Sequence, residues 1–171
     1  LILAKLYSLT GKDDVAIKYY ETYLEKNPTS EEAYYGLTAI YQKRQDFEKA
    51  NQTLTSLQSH EKDDAKVLKE IGKNYYMSKD FAKSIDYYNN ALKIAPDDAQ
   101  LYYYIALSET LLKDYDKAIE NYEKSLKVKP DDKVKNEFSR LYVTIGNNYK
   151  KKNDFKNAAV AYKNALNLNK T

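Results

Sequence analysis

At 171 residues and 43% hydrophobic, the chain is long enough for one or two compact domains or a short solenoid. A charged fraction of 31%, balanced to a net +3, argues against a nucleic-acid partner, and the two arginines, Arg44 and Arg140, leave little means of bidentate phosphate or base-edge recognition. With no cysteine and one histidine, His60, a disulfide framework, a cysteine-based zinc site and a cysteine nucleophile are excluded. No apolar run reaches transmembrane length, so no membrane insertion is expected in this segment. The stretch Leu1 to Leu9 is short, contains Lys5 and fits the pattern that follows. It therefore reads as the remainder of a helix in a fragment of a longer protein, not as a signal peptide. The lack of cysteine suits a cytosolic or an extracytoplasmic site equally, and the compartment stays open with a small preference for the cytoplasm.

The phrase Asp46-Phe47-Glu48-Lys49-Ala50 returns as Asp80-Phe81-Ala82-Lys83-Ser84 and again as Asp114-Tyr115-Asp116-Lys117-Ala118, 34 residues apart each time. A fixed period of this kind marks a repeat array. Pro28, Pro96 and Pro130 keep the same period, with Lys62 in the vacant slot. In chain order the units are 1–30 (partial), 31–64, 65–98, 99–132 and 139–171, with a six-residue insertion at 133–138. Each splits into two helical halves about a short turn, at Thr10-Gly11-Lys12, Arg44-Gln45-Asp46, Ser78-Lys79-Asp80, Lys113-Asp114 and Asn153-Asp154.

Within each half, apolar residues recur at three- and four-residue steps, as an amphipathic helix requires. In the third unit Leu68, Ile71, Gly72 and Tyr75 share one face, and Phe81, Ile85, Tyr88, Ala91 and Leu92 another. Small residues fall at matching places, with Ala4, Thr38, Gly72, Ala106 and Gly146 in the first helices. The second helices carry Ala16, Ala50, Ser84, Ala118 and Ala158. Such positions let two helix backbones approach while a large residue fills the space opposite. Thr29 with Glu32 fits a capping box, and Asp97-Asp98 and Asp131-Asp132 put carboxylates at positive helix ends.

The pattern carried by Gly72, Tyr75, Phe81, Tyr88, Ala91 and Pro96, and by Ala106, Tyr115, Ala118, Tyr122 and Pro130, resembles the tetratricopeptide repeat. The resemblance covers essentially the whole chain. It implies an all-α fold, an α-solenoid of antiparallel helix pairs wound as a right-handed superhelix. Departures are Lys62 and Lys170 for the closing proline, Asp13 for an aromatic, and Glu109 where other units have Tyr7, Tyr41, Tyr75 and Tyr149. Glu109 is expected to be a partly exposed carboxylate satisfied by a lysine or a tyrosine hydroxyl; the sharper alternative is a groove-side acceptor for a ligand.

Through the insertion, Val134, Phe138, Leu141, Tyr142, Ile145 and Tyr149 keep helical spacing, which predicts one lengthened helix from about Asp132 to Lys151. Six extra residues at 1.5 Å each add roughly 9 Å. A wedge that tilts the last pair is the preferred reading, and a contact arm the alternative.

Catalytic chemistry finds no foothold. His60 stands near a helix end without a second ligand, which suits a solvated or dipole-facing histidine. The carboxylates belong to turns and caps, no pair sits in an apolar surround, and four scattered glycines make no phosphate loop. No cofactor, metal or enzymatic activity is expected.

The resemblance implies instead that the first helix of each pair lines a groove for extended or helical peptides. The peptide-binding residues are then Tyr35, Lys69, Lys73, Tyr76, Met77, Tyr103, Tyr104 and Leu107, flanked by Ala39, Lys43, Leu111, Thr144, Asn147 and Lys151. Tyrosines supply contact area with a polar tip, and Lys69 and Lys73, one turn apart, attract carboxylates. The expected partner is another protein, offering a peptide with acidic and apolar residues at roughly micromolar strength, about −8 kcal/mol. The clamp by which co-chaperone repeats hold a chaperone's terminal carboxylate is matched only at Lys69 and Arg140. Its remaining places hold Lys73, Tyr104 and Thr144, and that sub-class is disfavoured.

The function expected is thus a protein–protein interaction scaffold. The alternatives are self-association through the terminal helix faces, giving a homo-oligomer, and a substrate-recruiting arm of a larger enzyme. RNA binding, with tyrosines stacking on bases, ranks last.

Overall fold

A computed structural model describes residues 1–60 and 64–168. Lys62 and Lys170, the two places where lysine replaces the closing proline, lie outside the described residues. The chain divides into two compact units, residues 1–94 and 95–171. The first unit holds α1 (Ile2–Leu9), α2 (Asp13–Lys26), α3 (Glu31–Lys43), α4 (Phe47–His60), α5 (Ala65–Met77) and α6 (Phe81–Ile94). The second holds α7 (Ala99–Leu112), α8 (Tyr115–Val128), α9 (Asp132–Lys151) and α10 (Phe155–Leu168). The described residues form an all-α solenoid of helix pairs, as the 34-residue period predicts.

The turns within pairs share one device. Gly11, Gln45, Lys79, Lys113 and Asn153 all take positive φ, from 59° to 75°. This left-handed residue reverses the chain within about three residues, so the second helix folds back along the first. Only Gly11 adopts that conformation without the steric cost a Cβ brings. The helix starts are capped as expected at Asp98, which accepts from Gln100 N, and at Asp131, which accepts from Lys133 N and Val134 N. The capping box does not form. Ser30, one residue after Thr29, caps α3 by accepting from Ala33 N, and Glu32 reaches away to pair with Lys5. Ser30 has the extended backbone a cap needs, and a glutamate two residues on cannot fold back to it.

Pairs interlock where small residues of first helices meet large residues sixteen positions on. A Cβ placed on Gly72 would come within 2.7 Å of the Tyr88 ring, and one on Gly146 within 2.6 Å of Tyr162. Tyr88 and Tyr122 are fully buried, as are Ala4, Ala106 and Thr38 at the facing type of position. The first unit's cores gather Ala4, Ala16, Tyr20, Leu37, Ile40 and Ala50 in one place and Tyr34, Leu54, Leu57, Val67 and Ile71 in another. The second unit's core gathers around Ala106, Ala118, Tyr122, Val134, Phe138 and Leu141.

The 20-residue α9 runs unbroken through the insertion, six residues longer than the 14-residue α7. Its extra turns are packed, since Val134 and Phe138 are 6% and 3% exposed.

Candidate functional site

In the first unit, the residues read as groove-lining lie on α3 and α5. Tyr35 is half-buried, and the Lys66 ammonium stands 4.2 Å from its ring centroid while also pairing with Glu31 at 3.2 Å. Lys69 and Lys73 are half-buried one turn apart, and Lys73 pairs with Glu70 at 3.3 Å. That pair tempers the positive charge this face offers to a carboxylate. The Tyr76 ring meets Phe81 edge-on at 5.6 Å, joining α5 to α6, and Met77 is 45% exposed.

A polar network that sequence spacing does not announce holds this unit together. Gln42 Nε2 donates to Asn74 Oδ1 at 2.6 Å, and Asn74 Nδ2 donates to Asn51 Oδ1 at 2.8 Å. Asn74 is wholly buried, so the chain of amides satisfies groups that would otherwise be costly to desolvate.

In the second unit, Tyr103, Tyr104 and Leu107 come together with the lengthened helix. Tyr104 and Tyr103 begin an aromatic ladder with centroids 5.3 Å apart, continuing to Tyr122 at 6.3 Å, Phe138 at 5.1 Å and Tyr142 at 4.9 Å. These spacings fall within the range of favourable ring contacts. Tyr103 is 6% exposed and belongs to the core, whereas Tyr104 and Leu107 are half-buried against it. The insertion supplies Phe138, the rung that links α8 to α9.

At the Tyr103–Tyr104 end of the ladder lies a cleft of about 610 Å³. Its walls are the start of α7 (Asp97, Asp98, Ala99, Gln100), the end of α8 (Ser125, Val128, Lys129) and the start of α9 (Asp131, Lys133, Val134). Ser125 Oγ donates to the Ala99 carbonyl at 2.8 Å and fixes one wall to the other. Asp98 and Asp131 spend a carboxylate oxygen on their own helix ends at 2.8 Å, whereas Lys133 lies 5.4 Å from the Tyr103 ring centroid. The cleft therefore offers aromatic faces with both signs of charge at its edge, Lys129 and Lys133 beside Asp97, Asp98 and Asp131. Lys133 opens the 133–138 insertion, whose alternative reading is a contact arm, whereas Ser125 and Lys129 carry no signal of their own in the sequence.

Glu109 differs from its expected state. It is 5% exposed, and its partner is the Asn121 amide at 2.9 Å, not a lysine or a tyrosine hydroxyl. Burial pushes its carboxyl above the ordinary carboxylate range; the Asn121 hydrogen bond and Lys117 pull the other way, and Asp114 and Glu120 add to the rise. A carboxylate so enclosed is no acceptor on an open surface. His60 is exposed at the end of α4, 6.5 Å from the Tyr34 ring. Among the described residues, no group of three or more His, Asp or Glu side chains is placed to hold a metal ion. No helix among them is long and apolar enough to cross a membrane.

Family models for the tetratricopeptide repeat match residues 9–69, 63–131 and 139–171. No curated protein matches the chain significantly by sequence. Among solved structures, MamA is 26% identical with a TM-score of 0.71, over 98% of this chain and 94% of that one. The C-terminal part of a repeat protein from Cytophaga hutchinsonii is 25% identical with a TM-score of 0.77, over 98% and 67%. YrrB, described as a repeat protein of this kind with an unusual peptide-binding site, is 15% identical with a TM-score of 0.67, over 96% and 82%. At that identity the likeness to YrrB speaks for the fold alone.

Proposed function

Because the chain belongs to the tetratricopeptide repeat family, we propose that it is a protein-interaction scaffold whose second unit takes a peptide in the Tyr103–Tyr104 cleft. The observation that carries this reading is the 610 Å³ cleft at the end of an aromatic ladder. An apolar side chain of the peptide lies against Tyr104 and Val134, and an acidic side chain meets Lys133 or Lys129. On the first unit, Lys69, Lys73, Tyr35, Tyr76 and Met77 are the alternative contact residues, with Lys73 paired to Glu70.

Selection from a random peptide library on the immobilised chain tests it. Enrichment of sequences with acidic and apolar residues is expected, along with their loss on Tyr104→Ala with Lys133→Glu, in a variant whose circular dichroism is unchanged. Enrichment that survives both substitutions would sink the cleft as the binding surface. In that event Lys69→Glu asks whether the α5 face carries the binding.

The second reading, self-association through the terminal helix faces, rests on two uncovered apolar faces. Phe155 and Leu166 on α10 are 64% and 60% exposed, whereas Tyr115 and Leu126, at the same places on α8, pack in the core with α9. Leu3 and Leu6 on α1 are 49% and 52% exposed, whereas Leu37 and Ile40 at the same places on α3 are buried. Sedimentation mass that rises with concentration, and falls back on Leu6→Asp, is the outcome expected of this reading.

A further inference from the structure

The seam between α8, α9 and α10 holds a second cavity, of about 390 Å³, away from the Tyr103–Tyr104 cleft. Its counterpart in the first unit is the seam between α4, α5 and α6. The repeat makes the two seams comparable residue by residue. Tyr115 stands in the place of Phe47, Tyr149 in that of Tyr75, and Asn148 in that of Asn74.

In the first unit a cavity of about 690 Å³ also opens at this seam, but the place beside the Tyr75 ring is occupied from within. Tyr87 stacks on Tyr75 with centroids 5.3 Å apart and 23° between planes, and Lys83 lies 5.2 Å from the Tyr75 centroid. At the N-terminal end Tyr19 stacks on Tyr7 in the same way, 5.4 Å apart. In the second unit the place of Tyr87 is taken by Ala161, that of Lys83 by Asn157, that of Asp86 by Val160 and that of Asn51 by Ile119. The ring and the cation that cover Tyr75 are both missing from Tyr149, which is 37% exposed. Ile119, Val160 and Ala161 make one side of the wall apolar, whereas Asp116, Lys152, Asn157 and Asn164 keep the other polar and Asn148 donates to the Tyr115 hydroxyl at 3.4 Å.

We propose that this seam is a binding pocket for one aromatic side chain, tyrosine or phenylalanine, presented by a partner polypeptide. The molecule supplies its own template for the occupant, because a phenol ring fills the equivalent place twice, each time stacked on the tyrosine that matches Tyr149. Offset stacking on Tyr149, with Ile119, Val160 and Ala161 beneath, favours a flat ring over a branched aliphatic group of similar area. The amides of Asn157 and Asn164 at the margin suit the backbone that delivers the ring. This site is independent of the Tyr103–Tyr104 cleft.

The test is an NMR titration of the isotope-labelled chain with N-acetyltyrosinamide, and with N-acetylleucinamide as comparator. Saturable shifts are expected at α8–α10 residues around Tyr149 for the tyrosine probe, with at least tenfold weaker response to the leucine probe. Ala161→Tyr, which restores the internal ring, is expected to abolish them. Should that variant misfold, Tyr87→Ala provides the converse, since it vacates the ring position stacked on Tyr75 and is expected to add a second saturable site there. Equal response to both probes, or shifts unaffected by Ala161→Tyr together with no gain in Tyr87→Ala, overturns the proposal. Shifts at the pocket that change on dilution without any probe would assign it to a second copy of the chain and overturn it equally.

Discussion

The third and fourth helix pairs, α5–α6 and α7–α8, solve one packing problem in opposite ways. In the third, Tyr75 meets Tyr87 twelve residues on, as stacked rings with Lys83 over the outer face. In the fourth the same two places hold Glu109 and Asn121, joined by a hydrogen bond of 2.9 Å, while Lys117 pairs with Asp114 at 2.6 Å as Lys83 does with Asp80 at 3.0 Å. The helix-pair geometry accepts either an aromatic contact or a polar one. The aromatic pair gains area and ring contact, whereas the polar pair must satisfy a carboxyl that burial disfavours. The repeat backbone therefore tolerates pairs that differ in both chemistry and size at these two places.

The largest expected effect comes from moving the polar solution into the third pair. Tyr75→Glu with Tyr87→Asn removes both rings and the lysine contact, and is expected to cost about 2–3 kcal/mol. Urea unfolding would read this as a lower midpoint with an unchanged slope. Equal stability would mean that the stack contributes nothing beyond filling space.

Next comes the acid dependence of the fourth pair. The Glu109 carboxyl titrates higher in the folded chain than its ordinary value of 4.5. Its contribution to stability is therefore fully present below that ordinary value and is lost as pH rises through the raised folded value. Glu109→Gln keeps the shape and removes the titration. The variant and the native chain are expected to match in stability near pH 4, with the variant becoming the more stable of the two towards pH 7. A constant difference across that range would mean that burial does not raise the titration of this carboxyl.

The smallest effect lies in the turns, where both pairs use a lysine at positive φ, Lys79 at 66° and Lys113 at 65°. Lys79→Gly and Lys113→Gly are each expected to stabilise by ~0.5 kcal/mol, the steric relief being partly offset by the greater freedom of glycine in the unfolded chain. Thermal melts of the two single variants should rise by similar amounts, since the device is the same in both pairs.

What the sequence by itself determined was whatever depends on period. The 34-residue spacing of the Asp-aromatic phrase, the small residues from Ala4 to Gly146 and the Asp98 and Asp131 caps are local or periodic. They specified the helix pairs, their turns and the continuous α9 without knowledge of any long-range contact. Tertiary structure decided what depends on which side chains meet across seams. Ser30 displaced Thr29 as the cap because backbone geometry selects the capping residue. Tyr103 went into the core because Phe138, brought in by the insertion, closed over Tyr122, and Glu109 found Asn121 because the α7–α8 pairing sets residues twelve apart face to face. The cleft at Lys133 and the vacancy beside Tyr149 belong to the same class. A cavity is made by what neighbouring helices fail to fill, and a helical period in one segment carries no record of the volume that its neighbour leaves open.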